Sequence, residues 1–249
     1  MNRLDFVGRR AVVTGGSSGI GLAVARRLLL GGASVVIWSR SPPQQLDALR
    51  GLYDCGLVSG AIVDVRRVPD VVRAARDALT AGPVDILVNN AGEFGAMKRP
   101  LDYSVAEWEA IIEANLTSQF SVCREIVPHM VARGYGRVVN LSSVVGRDAN
   151  PAALAYSAAK AGVIRFTQGL GRDLAKTGVL VNCVAPSAIG GTALFDGIPH
   201  AQVDAMVAKV PMGRLGTVEE VAELVCWLAS EGCSYCTGAV FDCSGGRHE

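Results

Sequence analysis

Tyr156 and Lys160 stand four residues apart, a spacing that puts both side chains on one face of a helix. The chain has only five Tyr and four Lys among 249 residues, so chance supplies well under one such pair. A phenol that ionises near about 10 exchanges protons poorly at neutral pH. An ammonium about 4 Å away, at an effective dielectric of about 20, favours the phenolate by roughly 4 kcal/mol. Tyr156 so assisted would protonate a carbonyl oxygen or take the proton of an alcohol. A surface Tyr–Lys pair without chemistry is the plainer alternative.

A second constellation lies near the N-terminus, where residues 14–21 read TGGSSGIG between a β-branched run and an amphipathic stretch. Glycines here let the backbone turn tightly and approach a pyrophosphate, whose charge then rests on the N–H groups that open the helix. The spacing is G-x3-G-x-G, not the more usual G-x-G-x-x-G, and by itself it also suits an ordinary tight turn. In NAD-binding βαβ units an acidic residue about 20 positions on accepts hydrogen bonds from the ribose 2′-hydroxyl. Here the second strand closes with Ile37-Trp38-Ser39-Arg40-Ser41, without Asp or Glu. Ser39 can hydrogen-bond a 2′-phosphate and Arg40 can neutralise it, so NADP(H) is favoured over NAD(H) as cofactor.

These residues need a scaffold, and the hydropathy pattern supplies one. Short apolar runs at 11–14, 34–38, 61–65, 86–89, 137–142, 179–185 and 239–241 read as parallel strands buried on both faces. Between them, 20–30, 44–52, 69–80, 105–133, 151–176 and 218–230 read as helices. The alternation predicts an α/β fold: a doubly wound parallel sheet of about seven strands with helices on both faces, in a single domain spanning 1–249. Asn150-Pro151 reads as a cap and first turn for the Tyr156 helix. Trp108 falls on the expected packed face of the 105–133 helix. Residues 187–212 fit neither pattern and suggest a substrate lid, with a short helical piece at 201–209.

Composition narrows the classes. Half of the residues are hydrophobic and the formal net charge is +1, which offers no basic field for nucleic acid and no polybasic membrane patch. No stretch has the length of a signal peptide or membrane span, and the seven scattered cysteines read as reduced, so a cytoplasmic location is expected. Cys233-Ser234-Tyr235-Cys236 has redox or zinc spacing but no second pair, and no metal is expected.

In order along the chain come TGGSSGIG at 14–21, Asn89-Asn90-Ala91-Gly92, Asn115, Ser142-Ser143 and Tyr156-x3-Lys160. This ordered set resembles the short-chain dehydrogenase/reductase family over nearly the whole chain, with a general look closest to 3-oxoacyl-(acyl-carrier-protein) reductases. The resemblance implies a Rossmann-type fold and hydride transfer between a nicotinamide cofactor and a ketone or secondary alcohol. It implies Tyr156 as general acid/base and Ser143, with Ser142 as the neighbouring candidate, orienting the substrate oxygen. It further implies Lys160 on the nicotinamide ribose and Asn115 holding a water in the proton relay. Cofactor contacts implied in the same way are Gly15, Ser17, Ser18, Gly19, Ile20 and Gly21 at the phosphates and Asp64 and Val65 at the adenine. Asn90, Ala91 and Gly92 would line the ribose, and Ile189 the nicotinamide amide. Two places depart from the family pattern: Ser187 stands after Pro186 where glycine is usual, and Thr192 is displaced. Family members often pair their two long helices, so a homo-oligomer, dimer or tetramer, is expected. An NAD(H)-linked alcohol dehydrogenase working oxidatively is the alternative enzyme, and a non-catalytic dinucleotide-binding protein the alternative outside enzymes.

Overall fold

Strands that are apolar along their whole length need cover on both faces, and the chain provides it by returning through a helix after most strands. The structure, a computed structural model, describes residues 4–42, 56–192 and 199–247. β1 (Arg10–Thr14) turns into α1 (Gly19–Leu30) and then β2 (Ser34–Ser39). β3 (Val58–Ile62), α2 (Val68–Thr80) and β4 (Ile86–Asn89) follow. α3 (Val105–Ile112) runs on into α4 (Ser118–Arg133), which leads to β5 (Gly136–Leu141). α5 (Leu154–Asp173), β6 (Val179–Pro186), α6 (His200–Val207), α7 (Val218–Ala229) and β7 (Val240–Cys243) complete the described chain. The seven strands are all parallel, in the order β3-β2-β1-β4-β5-β6-β7.

The two-residue period of the strands sorts their side chains between two apolar layers. Ala11 and Val13 of β1, with Val35 and Ile37 of β2, pack against Val24, Ala25 and Leu28 of α1 and Val225 of α7. Val12, Val36, Leu87 and Val138 point the other way, onto Val71 and Ala75 of α2 and Ile126 and Met130 of α4. α4 ends at Gly134, whose φ of 68° supplies the left-handed turn that leads into β5.

Most strands and helices lie within a residue or two of their expected places, and four expectations need correction. The third strand runs over Val58–Ile62, three residues before the expected 61–65, which leaves Asp64 and Val65 in the loop beyond its end. The expected 105–133 helix is continuous but widens into a π-turn at Glu113–Thr117. Asn150 caps only a short 3-10 turn, Pro151–Ala153, and the α-helix carrying Tyr156 begins at Leu154. Trp108 is 36% exposed and not a core residue. The expected helix at 44–52 lies outside the described residues, as do 193–198 of the expected lid.

A chain of buried amides ties the strands to the Tyr156 helix. Asn89 Nδ2 donates to Asn140 Oδ1 at 2.9 Å, Asn140 Nδ2 to Thr167 Oγ1 at 2.9 Å, and Thr167 Oγ1 to the Val163 carbonyl at 2.8 Å. Asn140→Ala would strand a donor on Asn89 and an acceptor on Thr167 in a dry interior. We expect a loss of about 3 kcal/mol in urea-induced unfolding, from two unsatisfied groups and a small cavity.

Candidate active site

In an open parallel sheet the carboxyl ends of neighbouring strands diverge to opposite sides where the chain order reverses, here between β1 and β4. The candidate residues gather at that end. Thr14, the last residue of β1, receives hydrogen bonds on Oγ1 from the Asn90 and Ala91 N–H groups, both at 3.0 Å. Asn90 Nδ2 donates in return to the Thr14 carbonyl at 3.0 Å and the Gly15 carbonyl at 3.2 Å. The glycine turn is thus sewn to the loop after β4. Thr14 was part of the quoted motif, but its joining role was not evident from spacing.

Gly15 lies at φ +65°, where a side chain would be strained, and a Cβ on Gly21 would fall 2.3 Å from the Gly15 carbonyl oxygen. The Ser18 side chain does not cap α1, and the first turn has no acidic residue. Its N–H groups therefore face no carboxylate, and with Ser17, Gly19 and Ile20 around them they suit a pyrophosphate. Thr192 comes to this turn as well: a Cβ on Gly19 would lie 3.6 Å from Thr192 Cγ2. Its displacement along the sequence does not take it away from the site.

At the end of β5 the chemistry-bearing cluster is held by backbone. Lys160 Nζ donates to the Leu141 carbonyl at 2.9 Å, and Gln119 Nε2 donates to the same oxygen at 3.1 Å. Ser142 Oγ is spent on the Lys160 carbonyl at 2.7 Å, which separates the two serine candidates. Ser143 makes only long contacts, with the Pro186 carbonyl and the Val145 N–H, both at 3.4 Å. Its hydroxyl borders the Tyr156 phenol, whose ionised form it favours. The Phe94 ring packs on Tyr156 with centroids 4.8 Å apart. Asn115 sits in the π-turn, where its side-chain Nδ2 donates to the Ile111 carbonyl at 2.9 Å and takes the place of a normal backbone donor. A Cβ on Gly92 would meet Asn115 Oδ1 at 2.5 Å and Lys160 Nζ at 3.5 Å, so these three residues share one corner.

Burial decides the titration of this cluster. It pushes the Tyr156 phenol up to about 12, against the influence of the Ser143 hydroxyl, and pulls the Lys160 ammonium down to about 8. The expected lowering of Tyr156 by Lys160 is absent: the ammonium lies 5.4 Å from the ring centroid and points to a carbonyl.

The adenosine end is more varied than the sequence implied. Ser39 is buried and its hydroxyl donates to the Ser41 carbonyl, so it offers no donor to a phosphate here. Arg40 is exposed and pairs with Glu93 at 2.5 Å. Asp64 accepts from Arg66 Nη2 at 2.6 Å, which holds its carboxyl below the usual range. Val65 follows it in the same loop, half-buried. Ile189 turns its side chain into the core against Gly216, so only its backbone, bridged to Gly216, can face a ligand. Sequence reasoning placed Glu93 and Phe94 in a candidate pocket wall, 93–99, without a role for either, and it did not find Gln119. Gln119 carried a signal, being one helical turn beyond Asn115. Among the described residues no group of three His, Cys, Asp or Glu side chains converges. Nor is any described helix long and apolar enough to cross a membrane.

A dinucleotide cradle and a hydroxyl–phenol–ammonium cluster on one doubly wound sheet define an NAD(P)-dependent oxidoreductase acting on CH–OH or C=O groups. The family model described as Enoyl-(Acyl carrier protein) reductase matches residues 15–248. A 2-dehydro-3-deoxy-L-rhamnonate dehydrogenase (NAD(+)) of Sphingomonas sp. (strain SKA58) is 45% identical over 97% of this chain and 96% of its own. A 3-oxoacyl-[acyl-carrier-protein] reductase FabG of Chlamydia muridarum (strain MoPn / Nigg) is 37% identical over 99% of both. The crystal structure of gox2181 superposes with TM-score 0.93 at 33% identity, covering 98% of this chain and 97% of its own. The chain belongs to the short-chain dehydrogenase/reductase family and resembles its 3-oxoacyl-(acyl-carrier-protein) reductases.

The depressed ammonium has a measurable signature. Between pH 8 and 10.5 the unfolded chain holds the Lys160 proton and the folded protein does not. The unfolded state then binds more protons, and stability rises with pH across that window. NMR of the Lys160 Cε in the cofactor-free protein should give a midpoint near 8, and Lys160→Met should lose the stability rise.

Proposed function

We propose that the protein is an NADP(H)-dependent oxidoreductase that interconverts a ketone and a secondary alcohol, with Tyr156 as the general acid/base. The observation that carries this reading is the Ser143–Tyr156–Lys160 cluster at the same sheet end as an uncapped, glycine-lined helix start. Bound nicotinamide would supply or accept the hydride at the substrate carbon.

The chain's own residues handle the proton and the fit. Tyr156 gives its proton to the developing alkoxide in reduction and takes it from the alcohol in oxidation. Ser143, with only weak contacts of its own, is available to donate to the same oxygen. Lys160 is a buried cation with a single backbone acceptor and further N–H groups to offer a ribose. Asn115, whose Oδ1 borders the same corner, would hold a relay water. Phe94 shields Tyr156 and keeps its proton from bulk exchange. Arg40 carries the preference for a 2′-phosphate, Ser39 being occupied. The substrate is a small carbonyl or alcohol compound, with a 3-oxoacyl thioester and a sugar acid as the first two classes to try. Trp108 and Phe120, exposed on α3 and α4, support a homo-oligomer.

A second reading, an NAD(H)-linked dehydrogenase working oxidatively, is favoured by the name of the Sphingomonas relative and by the engagement of Arg40 with Glu93. Titration with NADPH and NADH side by side separates the two. Tighter NADPH binding that Arg40→Ala abolishes supports the first reading, and equal or tighter NADH binding supports the second. In either case Tyr156→Phe should lower kcat by about 10²- to 10⁴-fold with cofactor affinity retained. Unchanged turnover would remove Tyr156 from the mechanism.

A further inference from the structure

β2 ends without an acid, yet a carboxylate reaches the same place from the opposite wall of the cleft. Glu93, four residues past β4, pairs with Arg40 at 2.5 Å and lies 3.6 Å from Arg66 Nη1. Its position is fixed at the backbone. Asn115 Nδ2 donates to the Glu93 carbonyl at 2.7 Å, and Asn115 Oδ1 accepts from the Glu93 N–H at 3.2 Å. Arg66 is itself engaged by Asp64, so Glu93 competes chiefly for Arg40. The four side chains, Arg40, Arg66, Asp64 and Glu93, sum to zero charge.

We propose that Glu93 is a specificity-determining residue that competes with the cofactor's 2′-substituent for Arg40. A 2′-phosphate seeks the same guanidinium fork as the carboxylate, and it must displace Glu93 against like-charge repulsion. A 2′-hydroxyl makes no such demand, and it can donate a hydrogen bond to Glu93 as it would to the acid missing from β2. Glu93 thus moderates the phosphate preference that Arg40 creates, and the inference rests on that reading of Arg40. The side chains of Arg40 and Glu93 are 60% and 39% exposed, so water screens the pair and the effect is modest.

The test uses adenosine fragments and calorimetry, which read the pocket without turnover. In the full chain, Glu93→Gln should raise the ratio of 2′,5′-ADP to 5′-AMP affinity about three- to tenfold, an effect that shrinks in high salt. In an Arg40→Ala background the same substitution should raise the ratio clearly less, because only the direct effects of the Glu93 carboxylate on the 2′-substituent remain. A ratio that falls in Arg40→Ala but does not move in Glu93→Gln overturns the proposal and leaves the reading of Arg40 standing. A ratio unaffected by Arg40→Ala overturns that reading and the proposal with it. A rise that survives undiminished in the Arg40→Ala background shows that Arg40 is not the group competed for and also overturns it. Circular dichroism and urea-induced unfolding report whether each variant keeps its fold.

Discussion

Lys160 brings a cation into the interior of the protein, and one backbone carbonyl at the end of β5 holds it there. Desolvating an ammonium is costly, and a single neutral acceptor offsets only part of that cost. The surrounding architecture is what makes the position tolerable. Gln119 shares the Leu141 carbonyl, Ser142 fastens the Lys160 backbone, and the Asn89–Asn140–Thr167 chain ties β4 and β5 to α5. The amide donors of Asn89, Gln119 and Asn140 all find acceptors in neighbouring elements, which ties this end of the sheet to the helices around it. The remaining cost shows as the lowered proton affinity of Lys160. A buried ammonium with spare donors is a strong attractor for hydroxyl groups, and that readiness is what the fold maintains at the site.

The same burial explains why a pairwise reading of Tyr156 and Lys160 misjudged their titration. Spacing of four puts two residues on one face of a helix, but it does not set the dielectric around them or where the ammonium points. Periodicity and the two glycine and Tyr–Lys motifs were enough to place β1, α1, β4 and α5 and the residues they present. They could not reveal Ser142 as a structural tie and Ser143 as the uncommitted hydroxyl, because that depends on which serine the α5 backbone meets. The orientation of Ser39 was hidden for a similar reason: a polar residue at a strand end can turn to its own backbone as readily as to a ligand. The pairing of Glu93 was illegible because its partners are 53 and 27 positions away in sequence and meet only through the sheet order.

Asn115 links these levels. Its amide draws the Ile111 carbonyl out of the regular ladder, and the helix accommodates this by widening into a π-turn. The same amide clasps both backbone groups of Glu93, so a helix irregularity fixes the loop after β4. That loop carries Glu93 toward the adenosine end and, one residue later, Phe94 onto Tyr156. Successive residues on one short loop thus touch both ends of the cofactor cleft. The residue that distorts the helix therefore also fixes the loop whose next side chain packs on the Tyr156 phenol.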